Sequence, residues 1–289
     1  MSNSIIRDKL DRGEFFLAPG IHDMMAAVIA NKVGFEIVYG TGYWMTASAY
    51  GLPDAGIATY SQMLDRVSTL ARTSDAAVIA DADTGYGGLL NVHHTVQGYE
   101  EAGITAIQIE DQEFPKKCGH TPGKKCVPLE IMTDKIKVAC DARKDKKNTL
   151  IVARTDIYQA EGFDASIRRG AAFAEAGADI IFVEALTSED EMRRACDEID
   201  APMISNMAQG GDTPMRTGEE LADIGYACAI YPATTALSAA YATEQALLHL
   251  KHQGTNESPD VPMFDFQEFN RLIGFEEVWA FDKKWARDD

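Results

Sequence analysis

Eight short apolar runs rich in β-branched residues recur along this chain, with amphipathic helical patterns such as 61–73 and 164–176 between them. Each run has the length of a strand that is buried on both faces. The predicted strands cover residues 15–18, 37–39, 77–80, 106–109, 150–153, 180–183, 203–205 and 228–231. Eight strand–helix units in succession favour a (β/α)8 TIM barrel over an open, doubly wound α/β sheet.

The composition is that of an ordinary globular protein with a sizeable core. The chain has 289 residues, of which 46% are hydrophobic and 25% are charged. No low-complexity linker or break in composition interrupts it, so we predict one barrel domain over residues 1–289. Residues 255–289 are predicted to form a C-terminal helical extension of that domain.

The net charge of −18 argues against two classes of partner. Such a surface repels nucleic-acid phosphates and anionic lipids, so neither nucleic acid nor membrane is an expected partner. Residues 1–16 carry scattered charges and no long apolar core, which predicts neither a signal peptide nor a transmembrane span. The odd number of cysteines, five, is typical of a reducing compartment, and we predict a cytoplasmic protein.

Polar side chains follow six of the eight predicted strands. The carboxyl ends of barrel strands meet at one face, where barrel enzymes build their active sites. We therefore expect these residues to share one site. They are the segments 39–42, 81–85, 110–111 and 154–156, together with Glu184 and Asn206.

Three of the carboxylates among these residues could supply hard oxygen ligands to a metal ion. Asp81, Asp83 and Glu110 lie at the ends of adjacent strands. A magnesium ion in a protein is usually held by one or two carboxylates, and water and substrate complete its coordination. Each Asp alone could instead cap a helix. The glycines of the segment 85–88 lack the spacing of a nucleotide-binding loop.

The segment 116–120, Lys-Lys-Cys-Gly-His, follows these carboxylates closely. A thiol beside a carboxylate metal site is suited to acid catalysis, and neighbouring cations favour its thiolate. Structural zinc held by Cys118, His120 and Cys126 is a weaker alternative, because the fourth ligand is missing. The other cysteines lie in apolar patterns, as small buried side chains do.

Together these motifs resemble the isocitrate lyase/phosphoenolpyruvate mutase superfamily over nearly the whole chain. The resemblance is greatest to its short lyases, of the 2,3-dimethylmalate and methylisocitrate lyase type, whose cysteine-bearing loop the phosphonomutase branch lacks. It rests on the segments 116–120, 39–42, 81–87, 109–112 and 153–156.

The resemblance implies a role for each matching residue. Asp83 would bind Mg²⁺, or Mn²⁺ in its place, while Asp81 and Glu110 hold the metal's waters. Cys118 would be the general acid, on a loop at 114–127 that closes over the substrate; Lys116, Lys117 and His120 would support its thiolate. Tyr39 would lie near the substrate's alkoxide. The substrate would be bound by Thr41, Gly42, Tyr43, Gly119, Arg154, Glu184 and Asn206.

The expected reaction is magnesium-dependent carbon–carbon cleavage of a short 2-hydroxy dicarboxylate into an α-oxo acid and a carboxylic acid. Gln108 stands where methylisocitrate lyases usually carry His, and Tyr43 and Trp44 replace small glycines. These differences favour a substituted malate. The alternatives are an oxaloacetate hydrolase or decarboxylase, a phosphonate mutase on the same scaffold, and a barrel that only binds small acids.

The C-terminal extension is strongly apolar, with aromatic residues from Phe264 to Trp285 that need a covering surface. The resemblance implies that this last helix is exchanged between subunits of a homotetramer, a dimer of dimers. The alternative is a helix folded back on its own barrel.

Overall fold

Eight parallel strands form a barrel in the computed structural model, which describes residues 4–119, 123–258 and 260–286. The first six strands pair in chain order, the eighth pairs with the first and the seventh, and a parallel bridge between Ile181 and Met203 connects the two ends of this arrangement. The predicted (β/α)8 barrel is confirmed, and each predicted run overlaps one strand. The strands are β1 (Phe16–Ile21), β2 (Ile37–Gly40), β3 (Ala77–Asp81), β4 (Ala106–Glu110), β5 (Leu150–Thr155), β6 (Ile180–Val183), β7 (Ile204–Asn206) and β8 (Cys228–Tyr231).

Helices follow the strands and cover the outside of the barrel. Local signals set several of their ends: Thr59 and Gln62 form a reciprocal capping box at the start of the helix Tyr60–Thr73, and Gly34, with φ of 90°, ends the helix Met24–Val33. The helices are α1 (Ile5–Asp11), α2 (Met24–Val33), α3 (Gly42–Tyr50), α4 (Tyr60–Thr73), α5 (Leu89–Glu101), α6 (Leu129–Ala142), α7 (Tyr158–Glu161), α8 (Phe163–Glu175), α9 (Glu189–Glu198), α10 (Gly218–Ile224), α11 (Thr234–Gln253), α12 (Phe266–Leu272) and α13 (Phe275–Trp285).

The core has two layers, as expected for a closed barrel. The larger layer lies between strands and helices, and includes Val38, Ile107 and Phe173. The smaller layer fills the barrel interior with inward-facing strand residues, and Ile6 of α1 packs into it. Because α1 and this inner layer fill the amino-terminal end of the barrel, a site can form only at the opposite face, where the strands end.

The C-terminal helices leave much apolar surface uncovered. Phe281 and Trp285 of α13 are 62% and 65% exposed. The preceding α12 contacts α2 of its own chain. There Lys32 forms an ion pair with Glu268, and its Nζ lies 5.0 Å from the ring centroid of Phe264. Exchange of the last helix between subunits stays a prediction. Within the described ranges, no helix is both long and apolar enough to cross a membrane.

Candidate active site

A cavity of about 290 Å³ opens at the carboxyl ends of the strands. It is lined by Tyr39, Thr41, Tyr43, Asp81, Glu110, Lys116, Cys118, Gly119, Arg154, Glu184 and Asn206, all of which were predicted from the sequence to serve the site. Residues far apart in the chain therefore meet because consecutive strands end at one rim.

The other three predicted residues have different positions. Asp83 lies behind the cavity wall and reaches it through Lys116, whose Nζ is 2.8 Å from the Asp83 carboxylate. Gly42 begins α3 against Asp81; a Cβ on it would lie 2.7 Å from Asp81 Oδ2, so only glycine fits. His120 lies outside the described residues.

The loop after β3 presents its carboxylates in an unusual backbone conformation. Asp83 has φ of 48°, in the left-handed region that non-glycine residues rarely adopt. Its amide donates to Asp81 Oδ1 at 3.0 Å, and its carbonyl accepts from the Glu110 amide at 2.9 Å. Lys135, a buried residue of α6, donates to the Thr84 carbonyl at 2.8 Å. These contacts hold a strained turn in place, which is common at functional sites.

Negative charge accumulates beside this turn. Lys116 lies 2.5 Å from Asp54 and 2.8 Å from Asp83, with its side chain only 3% exposed. Burial raises the pKa of Asp83 to about 6, although Lys116 opposes the change. Burial raises the pKa of Glu110 as well, against the charges of Arg154 and Lys116. Burial alone would lower the pKa of Lys116, but the surrounding carboxylates raise it well above its usual value.

Arg154 is fixed by carboxylates on several sides. Its Nε and Nη2 donate to both oxygens of Asp156 at 2.9 Å, and Nη2 is 3.0 Å from Glu184. Asn206 donates to the same Glu184 carboxylate at 3.0 Å. This geometry holds the guanidinium rigidly at the cavity wall, where it can bind a substrate carboxylate.

Cys118 lies half-buried at the cavity, in the predicted lid; of this lid the structure describes residues 114–119 and 123–127. Burial raises the pKa of Tyr43, and the charge of Cys118 raises it further, because the phenol lies near the thiol. The lysines expected to support the thiolate are engaged elsewhere: Lys116 with the carboxylates, and Lys117 with the Gly123 carbonyl at 3.2 Å.

Two charged site residues were missed in the sequence. Asp54 lines the cavity from the loop after α3. Lys124, on the lid, donates to the Gly119 carbonyl and lies 3.5 Å from Asp156. Neither residue follows a strand, and a single charged residue in a polar loop is normally interpreted as a surface residue. The proximity of Asp54 to a Gly-Leu-Pro turn was the only local signal.

The charges around the cavity do not balance. In the described part of the chain, carboxylates at positions 54, 81, 83, 110, 156 and 184 face three cations, Lys116, Lys124 and Arg154. By formal count, this excess of three carboxylates disfavours an anionic ligand, and a bound cation would offset it.

The donor set fits a magnesium ion. Glu110 Oε1 is buried and has no hydrogen-bond partner among the described residues, and its neighbours offer hard carboxylate oxygens. No cluster of three or more acidic, histidine or cysteine side chains in the described ranges forms an all-protein cage.

A barrel that brings carboxylates, a fixed guanidinium and a lid thiol around one cavity defines an enzyme acting on a small acid. The sequence matches the model of the phosphoenolpyruvate phosphomutase family over residues 6–251. The chain therefore belongs to the phosphoenolpyruvate mutase/isocitrate lyase superfamily.

Individual relatives resemble the chain over almost its whole length. The 2,3-dimethylmalate lyase of Eubacterium barkeri is 41% identical, covering 97% of each chain. The 2-methylisocitrate lyase of Halalkalibacterium halodurans is 42% identical, covering 93% of this chain and 88% of its own.

Solved structures show the same fold. Oxaloacetate acetylhydrolase in complex with 3,3-difluorooxalacetate superposes with a TM-score of 0.92 at 30% identity, covering 98% of this chain and 97% of the other. Phosphonopyruvate hydrolase with oxalate and Mg²⁺ gives 0.88 at 29% identity, covering 99% and 100%.

Proposed function

We propose that this protein is a magnesium-dependent enzyme that cleaves a short 2-hydroxy dicarboxylate into an α-oxo acid and a carboxylic acid. The chain is a carbon–carbon lyase, as its curated relatives are. The observation that carries the proposal is that the Cys118 thiol and the carboxylates Asp81 and Glu110 face one cavity. An acid for protonating carbon and a site for a divalent cation are the two groups that this cleavage needs.

Asp83, Asp81 and Glu110 would hold the cation, the first as a direct ligand and the others through water. When bound, Mg²⁺ would polarise the hydroxyl or oxo group and its neighbouring carboxylate as a Lewis acid. Mn²⁺ has similar ligand preferences and is the expected substitute. The Mg²⁺ in the related phosphonopyruvate hydrolase structure supports this assignment.

The substrate's oxo-acid half would bind between α3 and Arg154. Thr41 caps the start of α3 without a side-chain capping bond, and the following residues Gly42 and Tyr43 present backbone amides there. Arg154 would bind the other carboxylate of the substrate. Glu184 holds Arg154 in place, and Asn206 donates a hydrogen bond to Glu184.

The cavity favours a dicarboxylate over a larger tricarboxylate. Tyr43 and Trp44, with ring centroids 4.5 Å apart, form an aromatic wall where smaller residues would leave more room. With Arg154 assigned to the second carboxylate, the other described cations of the site, Lys116 and Lys124, pair with protein carboxylates and leave no counter-charge for a third. These features support a substituted malate as the substrate.

Cleavage breaks the C2–C3 bond of the substrate. The C2 hydroxyl, near Tyr39, releases its proton to solvent, C2 becomes the carbonyl carbon of the oxo acid, and the bonding electron pair stays on C3. Cys118 gives its proton to C3, releasing the carboxylic acid, and its thiolate later recovers a proton from water. The lid excludes water while C3 carries negative charge.

We also propose that the protein is a homotetramer, built as a dimer of dimers, in which the last helix is exchanged. The exposed residues of α13 supply the donor surface. A groove beside α2, lined by Ile21, Met25, Ile29 and Val33, supplies an apolar acceptor surface of the same character. Exchange of the helix would cover the exposed face of α13 and the groove beside α2 in a single interface, and this burial of apolar surface favours it.

Incubation of purified protein and Mg²⁺ with malate, alkyl-substituted malates, methylisocitrate, oxaloacetate and phosphonopyruvate tests the function. We expect an oxo acid and a carboxylic acid, identified by mass, from an alkyl-substituted malate. Oxalate and acetate from oxaloacetate as the only products would support the hydrolase alternative, and pyruvate with CO₂ would support a decarboxylase. Turnover of none of these compounds would contradict the proposal.

A further inference from the structure

Gln112 lies at the base of the lid, two residues beyond the end of β4. It forms an antiparallel bridge with Cys126, at the other base of the lid. Its side chain is nearly enclosed, since the residue is only 2% exposed. Gln112 does not line the cavity, so the proposed chemistry gives it no direct part.

The carboxamide of Gln112 bonds both sides of one lid residue. Its Nε2 donates to the Lys117 carbonyl at 2.8 Å, and its Oε1 accepts from the Lys117 amide at 2.9 Å. Lys117 directly precedes Cys118. The pair of bonds therefore fixes the backbone from which the Cys118 side chain extends, and it requires a side chain that donates and accepts at once.

The same carboxamide reaches the carboxylate that holds Arg154. Burial raises the pKa of Asp156, but the charge and hydrogen bonds of Arg154, with help from Lys124 and Gln112, lower it below its usual value. The Asp156 carboxylate thus accepts hydrogen bonds from Arg154 of the barrel and from Gln112 at the lid base, and it forms an ion pair with Lys124 of the lid. One buried carboxylate connects the position of the lid to the position of the guanidinium.

We propose that Gln112 is a positioning residue that latches the lid closed, holding Cys118 over the cavity while Asp156 holds Arg154. The catalytic consequence rests on the proposed function of Cys118 as the acid. The latch itself is a property of the lid and can be measured without turnover.

The first variant removes the latch. Gln112→Met keeps the length of the side chain but loses both bonds to Lys117. We expect iodoacetamide to alkylate Cys118 about tenfold faster than in the wild-type protein, on the order expected for two lost hydrogen bonds. Peptide mass analysis separates Cys118 from Cys140, which lies on α6 outside the lid and is expected to react at its wild-type rate.

The second variant also removes the latch, with a branched apolar side chain. Gln112→Leu offers neither a donor nor an acceptor to the Lys117 backbone. We expect Cys118 to be alkylated faster than in the wild-type protein, as in Gln112→Met.

Glu113→Gln is the matched control, because Glu113 is the exposed neighbour of Gln112 and the change is of the same size. It should leave alkylation and turnover unchanged. For the two Gln112 variants we expect kcat to fall about 10- to 100-fold, with KM changed much less, since the barrel supplies the proposed substrate contacts.

A wild-type rate of Cys118 alkylation in folded Gln112→Met would overturn the latch. So would a wild-type rate in folded Gln112→Leu; this second variant decides the matter if the Met variant does not fold. Failure of the wild-type protein to cleave any diacid would overturn the proposed function alone, because the alkylation result stands independently.

Discussion

Gly119 lies so close to Arg154 that no other residue fits at its position. A Cβ built on Gly119 would overlap Arg154 Nη2, and it would lie 3.0 Å from Glu184 Oε2 and 3.1 Å from Asp156 Oδ1. The lid backbone at Gly119 therefore packs directly against the guanidinium and the two carboxylates that hold it.

We expect Gly119→Ala to prevent this closure and to lower kcat/KM by about 10²-fold, the order of loss for a displacement of about 1 Å at a reacting group. Gly88→Ala is the control, because no atom lies within 4 Å of its added Cβ. Steady-state kinetics of the two variants checks this. Equal, small effects in both would show that the lid tolerates the added methyl group.

Cys118→Ser should bind metal and substrate nearly as the wild-type protein does but lose turnover. Serine is close in size but a far weaker acid, and general acid catalysis contributes about 10²- to 10⁴-fold. Calorimetric binding and single-turnover kinetics would separate the two effects. Wild-type turnover in this variant would mean that another group protonates the product, and would favour the hydrolase or decarboxylase alternative.

Activity should require a divalent cation, because an excess of carboxylates surrounds the cavity. Excess chelator should abolish turnover, and Mg²⁺ or Mn²⁺ should restore it. Asp83→Asn should weaken this restoration by removing the proposed direct ligand. Full turnover in protein whose metal content is shown to be nil would refute the metal assignment.

Metal affinity should fall at acidic pH. Burial raises the pKa of Asp83 to about 6, so the carboxyl is protonated below that pH and ionised above it. Because the protonated form is a poor ligand, Mn²⁺ affinity should decrease about tenfold per pH unit below pH 6 and level off above it. Mn²⁺ binding measured by electron paramagnetic resonance between pH 5 and 8 tests this. Constant affinity across that range would contradict it.

The protein should assemble into a homotetramer through its C-terminal helices. Replacing Phe281 and Trp285 together by Glu should reduce the native mass, because both exposed side chains would lose their proposed apolar partner surface. Replacement of Lys146, exposed on the α6–β5 loop, by Glu is a control that should leave the mass unchanged. A fully active monomer of the wild-type chain at micromolar concentration would rule out the exchange.

The sequence alone determined the barrel and most of the cavity. Alternation of apolar runs and helical patterns is a local property, and it locates strands such as β3 and β4 without knowledge of their neighbours. Once the strands are consecutive and parallel, closure brings their carboxyl ends to one rim. Asp81, Glu110 and Arg154 could therefore be assigned to one site before their distances were known.

Only the tertiary structure decided how the charges and the lid are connected. Asp54 pairs with Lys116, and Gln112 bonds the backbone of Lys117, through loops whose courses depend on packing rather than on a repeating pattern. The lysine expected to support the Cys118 thiolate instead lies among carboxylates, because a buried ammonium needs partners of opposite charge. Such pairings follow from burial and from the space left between loops, and neither is encoded in the spacing of residues along the chain.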